Sequence, residues 1–245
     1  MNPRWLPLAA RPERYRKVVV LTGAGVSVAS GLPSYRGPGG LWESDPALAK
    51  ALVAGASLDT MWAALGPLRA ALMDAVPNAA HRALADYEAR LRQGGGELTL
   101  ITQNVDGLHQ RAGSRDVVEY HGALQRSRCL GLCGSFDDPA PHRSTPRCPR
   151  CGAPLRPDVV LFDETIGIHE ERRAKRALAD CDLFMAIGTS GTVWPAASFV
   201  RAADYAGART LYVNLTPLEG AWEAYHEVIL GRAEAVLPGL LGAAG

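Results

Sequence analysis

Hydrophobic residues gather in five short runs along this chain, at 17–21 (KVVVL), 97–101 (ELTLI), 116–120 (DVVEY), 183–187 (LFMAI) and 210–214 (TLYVN). Within each run the apolar positions follow one another instead of alternating with polar ones. That pattern suits strands buried on both faces of a parallel sheet. Between the runs the spacing turns helical. Residues 78–93 open at an asparagine and stop at three consecutive glycines, 169–181 lead into the fourth run, and 195–207 begin with proline and end with glycine. An asparagine or proline at the start and glycine at the end are helix start and stop signals. Strands alternating with helices predict an α/β fold with a doubly wound, Rossmann-like parallel sheet.

Two stretches break the alternation. Residues 43–77 are Ala/Leu-rich and helical in pattern, and 125–157 are rich in cysteine, proline and arginine with little periodicity. Both read as insertions that together build a smaller lobe. The expected organisation is a single domain over 1–245. Its large lobe comes from 1–42, 78–124 and 158–245, and its small lobe from a helical insertion (43–77) and a zinc-binding insertion (125–157).

Composition narrows the function. The 245 residues are 47% hydrophobic and 21% charged, with a formal net charge of +1, so the chain has material for a core and no bulk charge for gripping nucleic acid or an anionic membrane. The first 17 residues interrupt their apolar stretch with prolines and arginines, unlike a secretory leader. These features lead us to expect a cytoplasmic protein with no membrane or nucleic-acid partner, and a monomer, since no large extra apolar surface stands out.

Four of the five cysteines fall together as Cys129-x3-Cys133 and Cys148-x2-Cys151. In a chain without secretory features, two close thiol pairs favour a metal over disulfides. Four thiolates close a tetrahedral shell around Zn²⁺ and leave no position for water or substrate, so the expected ion is structural. The neighbouring HRSTPRCPR is basic but lacks the interleaved aromatics of a base-stacking surface. Cys181, at the entrance to an apolar run, reads as a small buried hydrophobe. The histidines at 81, 142, 169 and 226 read as surface residues, and His109 as structural.

After the first run comes Gly23-Ala24-Gly25. Glycines there permit a tight turn and let backbone N–H groups approach a pyrophosphate at the start of a helical segment. Val28 stands where a third glycine would complete the dehydrogenase fingerprint, and no clean acid closes a following strand to hold a ribose, which weighs against hydride transfer. A second Gly/hydroxyl turn, Gly188-Thr189-Ser190, follows the fourth run, so one dinucleotide can lie across both turns. Gln103, Asn104, Asp106, His109 and His121 fall at or just past strand ends, where α/β proteins build sites. Amides there can fix a carboxamide or ribose, and a histidine can take a proton near neutral pH.

GAGVSVASGLPSYRG, TQNVDGLHQRAG, HGAL, the paired cysteines, GTSGTVWPAA and VNL, in that order and over nearly the whole chain, together resemble the sirtuins, the NAD-dependent protein lysine deacylases. The resemblance implies NAD as cofactor, one structural zinc, and acylated-lysine proteins or peptides as substrates. It further implies that Gly23, Ala24, Gly25, Ser27, Tyr35 and Arg36 contact the cofactor, with 33–40 a loop that closes over it. Gln103, Asn104 and Asp106 would line the nicotinamide and ribose pocket, and Gly188, Thr189, Ser190 and Asn214 would meet the adenosine half. His121 would be the general base, assisted by Asn104 and Asp106. Val160 and Phe162 would border the acyl-lysine tunnel. The implied reaction transfers the acyl group to ADP-ribose and releases nicotinamide. The acyl oxygen is the nucleophile, so no cysteine or serine nucleophile is required.

Three positions depart from the family pattern. Tyr35 replaces a common phenylalanine, and Asp163 replaces the glycine of Phe-Gly-Glu in the substrate groove. Sirtuins that prefer succinyl or malonyl groups carry a tyrosine and an arginine three residues apart in the helical insertion. Here Arg69 could serve as the arginine, but no tyrosine precedes it at that spacing. The expected substrate is therefore acetyl-lysine or another neutral acyl-lysine, with core packing or a solvated helix face as the plainer reading of Trp62 and Arg69. An NAD glycohydrolase, a mono-ADP-ribosyltransferase, a desuccinylase or other deacylase, and a non-enzymatic NAD-sensing or zinc-ribbon module remain as alternatives.

Overall fold

The five apolar runs become five strands of one parallel sheet. In the computed structural model, which describes residues 14–34, 40, 48, 53, 55–218 and 222–242, they are β1 (Lys17–Thr22), β2 (Glu97–Thr102), β3 (Val117–Glu119), β7 (Leu183–Ile187) and β8 (Arg209–Asn214). A sixth strand, β9 (Glu227–Leu230), completes the order β3-β2-β1-β7-β8-β9. Three further strands, β4 (Gly122–Cys129), β5 (Ser135–Asp137) and β6 (Leu155–Val159), form a small antiparallel sheet with β4 in the middle. The α-helices with both ends among the described residues are α1 (Leu58–Asp74), α2 (Ala79–Gln93), the single turn α3 (Leu108–Arg111), α4 (Ile168–Leu178), α5 (Phe199–Tyr205) and α6 (Ala233–Leu240).

Successive residues of a strand point to opposite faces, which is why both-face burial reads as an unbroken apolar run. Val18, Val20, Leu100 and Met185 pack on one face with Leu84, Tyr87 and Leu91 of α2 and Leu237 of α6. Val19, Leu21, Ile101 and Phe184 pack on the other with Leu178 of α4 and Phe199 and Val200 of α5. Cys181 sits in this second layer at 2% exposure. Helix α2 starts where its asparagine predicts: the Asn78 side chain accepts from Ala80 N at 2.9 Å, and the His81 ring closes a capping box. The segment 195–207 is less helical than its ends suggest, with one 3₁₀ turn before the seven-residue α5.

The strand order matters for function. β1 pairs with β2 on one side and β7 on the other, so the chain leaves β1 in one direction and returns in the opposite one after β3. Such a reversal opens a crevice beyond the carboxyl ends of the strands, the ligand position of open α/β sheets.

The small sheet and α1 hold each other. Trp62, fully buried, donates from Nε1 to Leu155 O at 2.9 Å and packs with Cys129 and Cys148. Arg69 is neither solvated nor a ligand-facing cation. It is 1% exposed and donates to the carbonyls of Leu124, Asp138 and Ala140. Its charge meets Asp138 at 3.8 Å and the Trp62 ring at 5.0 Å. The candidacy of Arg69 for an acyl group is thereby corrected, because its donors are turned into the small sheet. His142 is likewise no plain surface residue: it bonds Asp138 at 2.9 Å and meets Trp62 edge-on at 5.1 Å. Among the described residues, no helix is long and apolar enough to cross a membrane.

Candidate active site and metal centre

At the carboxyl ends of β1, β2, β7 and β8 lies a cleft of about 570 Å³. It gathers Gly23, Ala24, Gly25, Ser27, Gln103, Asn104, Asp106, His121, Val160, Phe162, Gly188, Thr189, Ser190 and Asn214. Tyr35 and Arg36 lie outside the described residues. Arg69 is absent from the described lining, whereas its α1 neighbours Leu65, Leu68 and Leu72 belong to it.

The two glycine turns touch. Gly23 N donates to Ile187 O at 3.1 Å and Gly25 N to Gly188 O at 2.9 Å. A Cβ on Gly23 would stand 2.7 Å from Gly188 O, and one on Gly188, whose φ is +61°, would stand 2.6 Å from Val26 N. The glycines are therefore required by backbone meeting backbone. The amides of Gly23 and Gly25 thereby tie the two turns together. The segment that follows winds as two 3₁₀ turns, Ala24–Val26 and Val28–Ser30.

Hydrogen bonds fix the polar side chains. Ser27 Oγ donates to Asp106 Oδ2 at 2.6 Å, and Leu108 N donates to Asp106 Oδ1 at 2.9 Å. Asn104 Nδ2 donates to Gly23 O at 3.1 Å and Ser27 Oγ at 3.2 Å. Gln103 Nε2 donates to Thr189 Oγ1 at 2.9 Å, and Tyr212 donates to Thr189 O at 2.9 Å. His121 Nδ1 lies 3.1 Å from Gln103 O. A carbonyl can only accept, so Nδ1 carries the proton and Nε2 is the basic nitrogen. Burial pulls this imidazole below its ordinary value of 6.5, against the opposing effect of that hydrogen bond. Its neutral form therefore dominates at neutral pH.

Two histidines lie under the cleft, and the sequence gives the wrong setting for one of them. His81, read as a surface residue, is fully buried. Its Nδ1 accepts from Asn78 N at 3.3 Å, which leaves Nε2–H toward Ser27 Oγ at 3.4 Å. His109 is structural as expected: buried, 4.8 Å from the His81 ring, and bonded through Nε2 to Thr22 Oγ1 at 3.0 Å. Burial lowers the His81 pKa to about 4 and drives that of His109 down as well. The unfolded chain binds protons on His81 near 6.5, so its contribution is fully present above that pH and is lost as pH falls toward 4. A depression from 6.5 to about 4 corresponds to about 3 kcal/mol, and His109 acts in the same direction. Urea unfolding at pH 7.5 and pH 4.5 should show this drop, with a shallower slope in His81→Asn; stability independent of pH over that range would refute it.

The cysteine cluster passes a test of fit for zinc. All four sulfurs lie within 4.8 Å of one another, and Cys129 Sγ stands 3.4 Å from Cys151 Sγ. Four thiolates about 2.3 Å from one ion lie roughly 3.8 Å apart. Gly131 N donates to Cys129 Sγ at 3.2 Å, and a Cβ on Gly131 would come within 2.9 Å of Cys151 Sγ. All five cysteines are free thiols.

With this geometry in view, comparison with known proteins is informative. The Sir2 family model matches residues 23–195. The chain is 43% identical over 215 residues to the NAD-dependent protein deacylase of Thermus thermophilus, covering 85% of each chain. It is 41% identical over 234 residues to NAD-dependent protein deacetylase 1 of Pyrobaculum aerophilum, covering 91% of this chain and 88% of the relative. Among solved structures, a mutant Sir2 homologue in complex with 2′-O-acetyl ADP-ribose is 32% identical with a TM-score of 0.86, over 99% of this chain and 96% of that one. The chain belongs to the Sir2 family.

Proposed function

We propose that this protein is an NAD-dependent protein lysine deacylase that works on acetyl-lysine, forming free lysine, nicotinamide and O-acetyl-ADP-ribose. The observation that carries the reading is the juxtaposition of a neutral, tautomer-fixed His121 with Asn104, Asp106 and the two interlocked glycine turns in one cleft. Bound NAD supplies the ribosyl carbon that receives the acyl oxygen as nicotinamide departs.

The chain's own residues then have distinct tasks. Gln103, Asn104 and Asp106 orient the nicotinamide ribose, and Ser27 holds the Asp106 carboxylate in place. Thr189, Ser190 and Asn214 receive the adenosine half. His121 takes a proton from a ribose hydroxyl through Nε2. Val160 and Phe162 flank the acyl-lysine chain. Zinc, held by Cys129, Cys133, Cys148 and Cys151, stabilises the small sheet and takes no part in the chemistry. Free thiols grouped as metal ligands support a reducing, cytoplasmic setting.

Mass spectrometry of products from purified protein, NAD and matched acetyl- and unmodified-lysine peptides tests this reading. One O-acetyl-ADP-ribose per nicotinamide, formed with the acetyl peptide alone, is expected. Nicotinamide released at an equal rate without acyl peptide would assign the cleft to NAD hydrolysis instead.

A further inference from the structure

Asp163 stands where the backbone favours glycine. Residues 161–164 close as a turn, with Glu164 N donating to Leu161 O at 3.1 Å, and Asp163 fills the third position at a φ of +66°. The turn is held without the Asp163 side chain. Arg156 donates to both oxygens of Glu164, at 2.8 and 3.0 Å, and Leu161 N donates to Glu164 Oε2 at 3.0 Å. A clamped turn thus displays Asp163, exposed, on the lining of the cleft beside Phe162.

Its charge is also the one left unbalanced. Of the other carboxylates on the described lining, Asp106 accepts from Ser27 Oγ and Leu108 N, Glu164 is paired with Arg156, and Glu234 stands 3.9 Å from Arg232. Among the described residues, no cation comes within ion-pair distance of Asp163. A dinucleotide has no use for this charge, because its phosphates are anionic. Trp194 shares the lining with 71% of its surface exposed. The two walls approach each other: Ile166, three residues beyond Asp163, packs against the core layer that holds Ala196, two residues beyond Trp194. A free carboxylate and an open indole are the groups that recognise a guanidinium, the first through paired N–H donors and the second through its ring face.

We infer that Asp163 and Trp194 are specificity-determining residues that favour acyl-lysines flanked by arginine in the protein substrate. The inference rests on the deacylase reading and adds to it the sequence around the modified lysine. Val160 and Phe162 flank the acyl-lysine chain in that reading, so the next residue along the turn meets the substrate's neighbouring side chains. Arginine should outdo lysine, because its planar fork both pairs with a carboxylate and stacks on a ring. Glutamate at the same places meets repulsion from Asp163.

The test uses acetyl-lysine peptides whose two residues on each side are all arginine, lysine, alanine or glutamate, at saturating NAD and low salt. Wild type is compared with Asp163→Gly, Asp163→Asn and Trp194→Ala. Glycine suits the φ of +66°, so a preference lost in Asp163→Gly at an undiminished melting temperature is not a folding defect. We expect kcat/KM for the arginine peptide to exceed that for the glutamate peptide by at least about tenfold. An exposed attraction and the matching repulsion are each worth up to roughly fivefold, and both should act through KM. The ratio should shrink as salt is raised and fall to about twofold or less in both Asp163 variants. The lead of arginine over lysine should disappear in Trp194→Ala. If acetyl-lysine is cleaved with an arginine-to-glutamate ratio near one, or a large ratio persists in the Asp163 variants, the inference is overturned while the deacylase reading stands. If NAD is consumed and no acetyl-lysine peptide is cleaved, the deacylase reading itself falls and takes this inference with it.

Discussion

His121→Ala should lower kcat for deacylation by about 10²–10⁴-fold, the usual contribution of a positioned general base. Its fold should be nearly intact. The ring makes one hydrogen bond, to Gln103 O at 3.1 Å, and the loss of such a bond costs about 1 kcal/mol. The deficit should therefore appear in kcat and not in the denaturation midpoint. Because the base acts after nicotinamide departs, nicotinamide release in a single turnover should suffer less than formation of acyl-ADP-ribose. The pH profile gives a second readout. The base works in its neutral form, and burial lowers its pKa from 6.5, so the wild-type rate should stay high through pH 7 and decline on the acid side of 6.5. A decline centred above 6.5, or an unchanged acid limb in His121→Ala, would remove His121 from this role.

Loss of the metal should be as damaging, by a different route. Structural zinc is worth about 10–16 kcal/mol in isolated zinc-finger peptides, comparable with the whole net stability of a domain, about 5–15 kcal/mol. Cys148 is 3% exposed and packs with Trp62, Cys129 and Leu155. Without the ion, the small sheet loses the centre that organises β4, β5 and β6. Helix α1 depends on that sheet through Trp62 to Leu155 and Arg69 to Leu124, Asp138 and Ala140. Its leucines are one wall of the cleft, so deacylation should collapse although the sulfurs touch no substrate. We expect one zinc per wild-type chain, none in Cys148→Ser or after exhaustive chelation, and loss of the Trp62 near-ultraviolet dichroism together with activity. A Cys148→Ser protein that is fully active at the wild-type melting temperature would contradict this.

The parts legible in the sequence were those in which local pattern and tertiary environment agree. The both-face apolar runs gave five strands within a residue or so, and Asn78 and Gly94 bracketed α2 because capping is chemistry of the termini themselves. β9 went unread because it is a four-residue edge strand with every second position exposed. β4 and β6 went unread for another reason. β4 loses its alternation at a register shift between Ala123 and Ser127, and β6 alternates over only five residues with a proline at its centre, too short a signal to stand out in a proline-rich stretch.

The cleft was legible as clusters at strand ends, since topology brings strand ends together. What the sequence misjudged was direction. Arg69 follows Met61 and Leu65 at intervals of four and precedes Leu72 by three, positions that place it on the buried stripe of α1. That spacing was the available signal, outweighed by the expectation that an arginine seeks water or substrate. His81 precedes Leu84 by three on the buried stripe of α2, a spacing outweighed by its place near the helix start. Its burial follows from Ser27 and His109 arriving against the N-terminus of α2, contacts across more than 25 residues of sequence.

Asp163 departs from the family's glycine in side chain while keeping a backbone that suits glycine. Its φ is +66°, a left-handed conformation that glycine adopts freely and aspartate tolerates better than most other residues.

The hydrogen bonds that run from His121 to Gln103, on to Thr189 and then to Tyr212 couple the reactive ring to the hydrophobic interior. Tyr212 is 1% exposed and packs with the second core layer. A core tyrosine outside the described lining of the cleft thus helps hold the Thr189 turn to which Gln103 and His121 are tied. Thermal stability is for that reason a poor proxy for correct assembly in this protein. A repacked interior can melt at the same temperature and still hold its base at the wrong distance.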